Sequence, residues 1–130
     1  MSKAVLGTRI LLGLMFFVFG LNNILHFIAL PMPTGDAGLF MSILATHKYM
    51  TFVALCQIIG GLLLLVGRFV PLGLTLLAPI VVNILLYHFL LDPGGVALGL
   101  IATLLEAFLI FAYRLSFRGL FDANPEVRSA

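Results

Sequence analysis

The chain has 130 residues, of which 62% are hydrophobic and 9% are charged, and its formal net charge is +2. Soluble domains carry about a quarter charged residues, and a chain of this length has too little interior to bury so much apolar surface. The composition therefore excludes a soluble domain and indicates that lipid surrounds most of the chain. It also gives no sign of a nucleic-acid partner, because the basic residues form no patch interleaved with exposed aromatic side chains.

Four apolar stretches follow one another along the chain. Each has about 18–23 residues, enough to cross a hydrocarbon core of roughly 30 Å as a helix. Because backbone polar groups must be paired within hydrocarbon, these stretches are predicted to be helices rather than strands. We therefore predict an all-α fold, with one transmembrane domain over residues 1–130 that forms an integral membrane four-helix bundle. The predicted helices span about 10–30, 49–66, 69–91 and 96–113.

The first loop, residues 31–48, is predicted to contain a short interfacial helix. Asp36 is a suitable N-cap for it. Such a helix lies flat at the membrane surface or dips between the transmembrane helices as a lid. The apolar positions that would share one face of this helix are Ala37, Phe40, Ile43 and Leu44.

The other two loops, residues 67–68 and 92–95, are short, so neighbouring helices are predicted to pack antiparallel. The tail, residues 114–130, carries aromatic and leucine side chains beside arginines. It is predicted to form a short helix on anionic lipid headgroups, which Pro125 ends.

Basic residues fall almost entirely on one side of the predicted bundle. Lys48 alone lies in a loop on the opposite side. The positive-inside rule therefore places both termini in the cytoplasm, N-in and C-in, and predicts a multi-pass protein of the bacterial cytoplasmic (inner) membrane. The basic residues on the side of the termini are Lys3, Arg9, Arg68, Arg114, Arg118 and Arg128.

Each apolar stretch carries a polar residue at a similar depth, roughly 12–15 Å from its predicted end on the side away from the termini. Hydrocarbon solvates neither amides nor carboxyl groups, so such residues normally face one another or a wet cavity. The sequence therefore predicts an internal polar site. Its candidate residues are Asn22 or its neighbour Asn23, Gln57, Asn83 and Glu106, with His26 and His88 as a second tier nearer the outside.

Glu106 carries the largest energetic cost of these residues. A charged acid at mid-bilayer costs about 2.5–3.5 kcal/mol, so Glu106 is predicted to be protonated or to meet a donor among the amides or histidines. One interpretation makes it a proton carrier or a ligand for a buried polar headgroup. The other makes it a neutral acid that cross-links helices, at roughly 0.6 kcal/mol per hydrogen bond. Because that bond repays little of the cost, the functional interpretation is favoured.

The chain holds no motif for self-sufficient catalysis. Its single cysteine, Cys56, excludes an intrachain disulfide and a redox-active cysteine pair, and the sequence has no phosphate-binding loop or nucleophile elbow. The histidines and Glu106 differ in depth by about one to two helical turns, so metal binding is not favoured. No catalytic residue and no metal ligand is assigned. A role other than that of an enzyme acting alone is favoured.

Several segments together resemble the DoxX family of small bacterial membrane proteins. They are Arg9, Gly13 and Phe19-Gly20-Leu21-Asn22; His26-Phe27 and Pro31-Met32-Pro33; Gln57 with Gly60-Gly61-Leu62; Gly67-Arg68-Phe69-Val70-Pro71-Leu72; Leu77-Ala78-Pro79 with Asn83-Ile84; His88 with Asp92-Pro93; and Leu105-Glu106 with Ala112-Tyr113-Arg114 and Phe117-Arg118.

The resemblance implies four transmembrane helices in the cytoplasmic membrane. It also implies a link to oxidoreductases, because namesake relatives are tied to a membrane-bound thiosulfate:quinone oxidoreductase, and a quinone cofactor follows from this resemblance only. Two positions depart from the family pattern. A common glutamate is Gln57 here, and Asn22-Asn23 replaces a frequent basic residue. Any redox role carried over from relatives is weakened by these departures.

Three hypotheses for function follow. The leading one is an accessory or non-catalytic subunit of a membrane, quinone-linked oxidoreductase assembly, with a polar site around Glu106. The second is a carrier or binder of a small amphipathic molecule with loop 31–48 as its lid, which predicts a cavity above Glu106 that is reachable from the outer leaflet. The third is a purely structural membrane protein. The implied partners are the lipid bilayer and either oxidoreductase subunits or further copies of the chain as a homo-oligomer.

Overall fold

The computed structural model describes residues 1–127, so Arg128 lies outside the described residues. Within residues 1–127 the backbone forms helices and turns without strands. The described chain has five α-helices and three short 3-10 turns. The helices are α1 (Lys3–Leu25), α2 (Gly35–Thr46), α3 (Tyr49–Val66), α4 (Val70–Leu90) and α5 (Val96–Ala112), and the turns are Pro93–Gly95, Arg114–Ser116 and Arg118–Phe121.

The prediction of an all-α membrane four-helix bundle is confirmed. Helices α1, α3, α4 and the stretch Pro93–Ala112 are each long and apolar enough to cross a membrane. Helix α1 packs against α3, α3 against α4, α4 against α5 and α5 against α1, which closes a ring. The short loops after α3 and α4 make those spans antiparallel, and α1 and α3 are antiparallel because Gly13 faces Gly61 whereas Gly20 faces Ala54. We call the end of the bundle that carries the start of α1 and the end of α5 the terminal end, and the opposite end, which carries α2, the α2 end.

Helix α1 begins and ends earlier than the predicted 10–30. The Ser2 hydroxyl caps its start by accepting a hydrogen bond from the Val5 N–H at 3.2 Å. At its other end His26 adopts a left-handed conformation with φ 55°, and the Asn22 Oδ1 accepts from the Ile28 N–H at 2.7 Å. These bonds satisfy backbone groups that a helix end leaves free. They turn the chain out of the helix although the following residues are still apolar.

The predicted helix in the first loop is present as α2, which contacts α3. Its N-cap is Thr34 rather than Asp36, and Asp36 lies in the first turn, where a negative charge complements the helix dipole. Ala37 is buried, whereas Phe40 and Ile43 remain largely exposed. The predicted apolar face therefore packs only in part against the bundle.

Glycine brings the first three spans together. Gly61 faces α1, where an added Cβ would lie 2.7 Å from the Gly13 carbonyl oxygen. The adjacent Gly60 faces α4, and an added Cβ there would lie 2.7 Å from Leu77 Cγ. Small residues at such positions let membrane helices approach closely. The core that these contacts enclose consists of Leu12, Phe16, Leu64, Val70, Leu74, Leu77, Val81, Ala102 and Leu109.

The tail after α5 forms two 3-10 turns instead of the single predicted helix. Arg114 Nη1 donates to the Phe111 carbonyl at 2.9 Å, and its guanidinium lies 4.4 Å from the centre of the Phe111 ring. Phe117 packs against the core, while Leu120 and Phe121 are mostly exposed. Gly119 between them has a low helix propensity, which disfavours a continuous helix here.

Candidate functional site

A cavity of about 1390 Å³ lies between α3 and α4 on the side of the α2 end. Nearer the terminal end the two helices are in close contact, since an added Cβ on Gly73 would lie 3.1 Å from the Gly60 carbonyl oxygen. Towards the α2 end the space between them is the cavity. Its volume exceeds the roughly 300–1,000 Å³ of pockets for drug-sized molecules. The space is therefore large enough for a molecule with an extended apolar part.

The wall of the cavity is mostly apolar and opens on the side of the bundle. Phe52 on α3 and Leu86 on α4 line it while 69% and 50% of their surfaces stay exposed. Since α3 and α4 are membrane-spanning helices, this opening faces hydrocarbon. The other apolar lining residues include Met15, Phe16, Phe19, Val53, Cys56, Leu76, Ile80, Ile84, Leu90 and Leu98.

Helix α2 roofs the cavity. Phe40, Met41 and Leu44 of α2 are among the residues that line it. The Phe40 ring stacks on the Tyr87 ring of α4, with centroids 5.9 Å apart and planes 29° apart. Because α2 also contacts α3, it bridges the gap between the two helices that form the cavity walls.

Amide side chains form the polar part of the wall. Asn23 Nδ2 on α1 donates to Gln57 Oε1 on α3 at 2.8 Å, and Gln57 is only 6% exposed. Asn83 on α4 is exposed to the cavity and donates through Nδ2 to the Pro79 carbonyl at 2.8 Å. Pro79 lacks an N–H, so the Thr75 carbonyl has no helical donor, and Thr75 also lines the cavity. The cavity therefore offers hydrogen-bonding groups within an otherwise apolar wall.

His88 lines the cavity near the α2 end. Its Nδ1 lies 3.1 Å from the Asp92 carbonyl oxygen, and its ring makes an edge contact with Tyr87. An added Cβ on Gly95 would lie 2.6 Å from the His88 ring, so glycine at that position makes room for the imidazole. The His88 ring is thus held between the Asp92 carbonyl, which follows α4, and Gly95, which precedes α5.

Asn22 and His26 form the C-terminal end of α1 and do not line the cavity. Asn22 is buried and binds the Ile28 N–H, and His26 is exposed as the left-handed cap. Because α1 ends at Leu25 and not near residue 30, both residues lie closer to the end of the helix than the sequence predicted. At 1.5 Å per residue, Asn23 lies only about 3 Å from the helix end. Of the neighbouring amides, Asn23 is the one that reaches Gln57.

Glu106 makes no hydrogen bond with the amides. It is 3% exposed, and among residues 1–127 neither carboxyl oxygen has a hydrogen-bond partner. It shares a face of α5 with the core residues Ala102 and Leu109 and does not itself line the cavity, although Ala102, one turn nearer the α2 end, does. The expected hydrogen bonds from the amides to Glu106 therefore do not form. Glu106 lies about 15 Å from the start of α5, deeper along its helix than Asn23 or Asn83 along theirs.

Sequence reasoning missed the burial of Arg9, which it treated only as a basic residue flanking the first span. Arg9 lies within α1 and is 8% exposed, with its guanidinium against Gly67, where an added Cβ would lie 2.7 Å from Nη1. Gly67 is the C-cap of α3, and a cation is stabilised at a helix C-terminus. The burial of Arg9 could have been predicted from its spacing. Arg9 precedes Gly13 by one helical turn and so shares the face of α1 that meets α3.

Within residues 1–127 no three His, Cys, Asp or Glu side chains come together as a metal site would require. What the geometry does provide is a small multi-pass membrane protein with a roofed cavity, an apolar wall and a few amide groups. This describes a class of protein able to hold an amphipathic molecule.

Comparison with known proteins identifies the family. The model described as DoxX matches residues 4–89, and the chain belongs to the DoxX family, which confirms the resemblance seen in the sequence. The chain is also similar to the "Uncharacterized protein YwoB" of Bacillus subtilis (strain 168), with 30% identity over 125 residues that cover 90% of this chain and 81% of that protein. No solved structure matches the chain.

Proposed function

We propose that this protein binds a small amphipathic molecule that enters from the lipid into the cavity between α3 and α4. The observation that carries this proposal is the cavity of about 1390 Å³, which is roofed by α2 and lined by exposed side chains of two membrane-spanning helices. A purely structural bundle could leave such a groove to be filled by lipid chains, but it would have no need of amide groups in the wall, because hydrocarbon cannot solvate them. This favours a binder or carrier over a purely structural protein.

The apolar wall would hold the body of the ligand, and the amides would bind its polar head. Gln57, Asn23 and Asn83 supply the hydrogen-bonding groups, with His88 nearer the α2 end. Helix α2 acts as the lid in this proposal, since it roofs the cavity through Phe40. Asn22, His26 and Glu106 are outside the proposed binding site.

A second candidate is the accessory, non-catalytic subunit of a quinone-linked oxidoreductase assembly. The family resemblance motivates it, and the amide groups beside an apolar wall favour it, since they could bind a carbonyl-bearing ring. A single cysteine offers no redox-active pair, so a partner subunit would carry the electron transfer. Isolation in mild detergent would distinguish the two candidates: oxidoreductase subunits that copurify support this one, and a homo-oligomer or a lone chain with a bound small molecule supports the first.

Blocking the cavity is expected to remove the ligand. Cys56→Trp places a large side chain in the cavity, and we expect it to lower the amount of copurifying lipophilic molecule about tenfold, which corresponds to roughly 1.4 kcal/mol. The measurement is native mass spectrometry of protein released from membranes. Leu62→Trp is the matched control, because Leu62 lies on the same helix, is 45% exposed and does not line the cavity.

Two results would contradict this proposal. One is a wild-type protein that releases no bound molecule under conditions that preserve the fold. The other is an equal amount of ligand on Cys56→Trp and Leu62→Trp.

We also propose that the terminal end faces the cytoplasm in a bacterial inner membrane. Of the basic residues in the described range, Lys48 alone is at the α2 end. The positive-inside rule supports this orientation. In a Cys56→Ser background, we expect a membrane-impermeant maleimide to label Ser42→Cys on α2 in intact cells. Ser116→Cys in the tail should be labelled only after permeabilisation, and the reverse order would contradict the orientation.

A further inference from the structure

We infer that the ligand has an uncharged head with an acceptor oxygen, such as a carbonyl, ester or hydroxyl, and that this oxygen binds the Nε2 amide of Gln57. This inference rests on the proposed function, since it assumes that the cavity is a binding site. It adds the chemical class of the head and the side chain that selects it.

Gln57 is buried, but not all of its hydrogen-bonding groups have a partner. Its residue surface is 6% exposed, and its Oε1 already accepts from Asn23 Nδ2 at 2.8 Å. Its Nε2 donates to no group among residues 1–127, but unlike the Glu106 carboxyl oxygens it is not fully buried. Gln57 also lines the cavity. The free amide N–H groups are therefore open to the cavity. Because an unpaired donor in an apolar site is costly, the best occupant is one that brings an acceptor.

The charges around the cavity exclude an ionised head at this depth. No lysine or arginine is among the described lining residues, and the His88 ring lies near the α2 end against the Asp92 carbonyl, so a carboxylate, phosphate or sulfate head at Gln57 would lack an adjacent countercharge. The lining carboxyl group is that of Asp92, which follows α4 at the α2 end. A cationic head could pair there, but it could not accept a hydrogen bond from Gln57. An uncharged oxygen acceptor is the head chemistry that meets both conditions.

Asn23 fixes the orientation of the Gln57 amide. Since Asn23 Nδ2 binds Oε1, the NH₂ group of Gln57 is held as the free side of the amide. Asn83 lies on the opposite wall, with its Nδ2 bound to Pro79. Its carbonyl oxygen can accept from a hydroxyl head, so an alcohol can be bound as well as an ester or ketone.

The test uses photoreactive probes that share one long alkyl chain and differ only in the head: a primary alcohol, a methyl ester, a carboxylate, a trimethylammonium group and plain hydrocarbon. Purified protein in nanodiscs is irradiated at a pH where the acid is ionised, and labelling of cavity residues is quantified by mass spectrometry. We expect the alcohol and the ester to label wild-type protein about tenfold more than either charged probe. Gln57→Met should lower ester labelling roughly fivefold, to the level of the hydrocarbon.

Thr103→Val is the control variant, because Thr103 binds its own helix through the Gly99 carbonyl and does not line the cavity. The ranking of heads on wild-type protein needs no variant and so tests the inference even if Gln57→Met does not fold. Charged probes that label as strongly as the ester, or a hydrocarbon that labels equally, would overturn the inference and leave the cavity as a binding site. Absence of cavity labelling by every probe would overturn the proposed function itself.

Discussion

Gly61→Leu is expected to abolish the folded bundle, and Gly61→Ala is expected to lower the free energy of unfolding by about 1–3 kcal/mol, the range for overpacking a close contact. An added Cβ on Gly61 would lie 2.7 Å from the Gly13 carbonyl oxygen and 2.7 Å from the Phe17 backbone nitrogen. Both atoms belong to the α1 backbone, so no side-chain rotation can relieve the clash. Helices α1 and α3 would have to separate, and the contacts of Arg9 with Gly67 and of Asn23 with Gln57 depend on that pair.

The matched controls are glycines of the same chain with different surroundings. Gly7→Ala meets no atom within 4 Å, and it should be neutral or stabilise α1 by up to about 1 kcal/mol through helix propensity. Gly60→Ala should cost less than Gly61→Ala, because its nearest atoms belong to the Leu77 side chain. The measurement is thermal unfolding in detergent, with circular dichroism as the readout. Equal stabilities of Gly61→Ala and Gly7→Ala would contradict the structure of the α1–α3 contact.

The fold could be predicted from sequence because one physical requirement, the pairing of backbone polar groups within hydrocarbon, determines most of it. Long apolar stretches must pair their backbone groups internally, so helices and their approximate number follow from composition and length alone. The ends of the helices could not be predicted from composition and length. Residues 27–30 are as apolar as α1 itself, and the Asn22 side chain ends the helix before them by binding the Ile28 N–H. A single side-chain bond thus overrides the hydropathy pattern.

The candidate site could be predicted only in part, for a related reason. The rule that polar residues in membrane helices turn inward holds for Asn22, Gln57 and Glu106, which are all at least nine-tenths buried. Whether inward residues meet depends on the rotation and height of each helix, which side-chain packing sets. Equal counts from predicted helix ends placed Glu106 with the amides, whereas the structure brings Asn23 to Gln57 and leaves Glu106 among core residues. The cavity and its roof could be anticipated only as one hypothesis among three.

Glu106→Leu is expected to stabilise the protein, raising the free energy of unfolding by about 1–3 kcal/mol, the usual cost of a buried polar group without a partner. Both carboxyl oxygens of Glu106 are sealed and have no partner among residues 1–127. Leucine has a similar size and would continue the apolar face formed by Ala102 and Leu109. Glu106→Gln should give little or no gain, because it leaves a polar group in the same apolar place.

The reference variant is Glu126→Gln, at an exposed position of the tail, which should leave stability unchanged. Unfolding in mixed detergent micelles gives the comparison, and a loss of stability in Glu106→Leu would show that the carboxyl group has a favourable partner in the native membrane protein. A buried acid that destabilises its own fold is of the kind that function retains at the expense of stability. If Glu106→Leu is both more stable and unable to retain the copurifying ligand, the cost of burying this acid is explained by a role in the binding cycle outside the cavity wall.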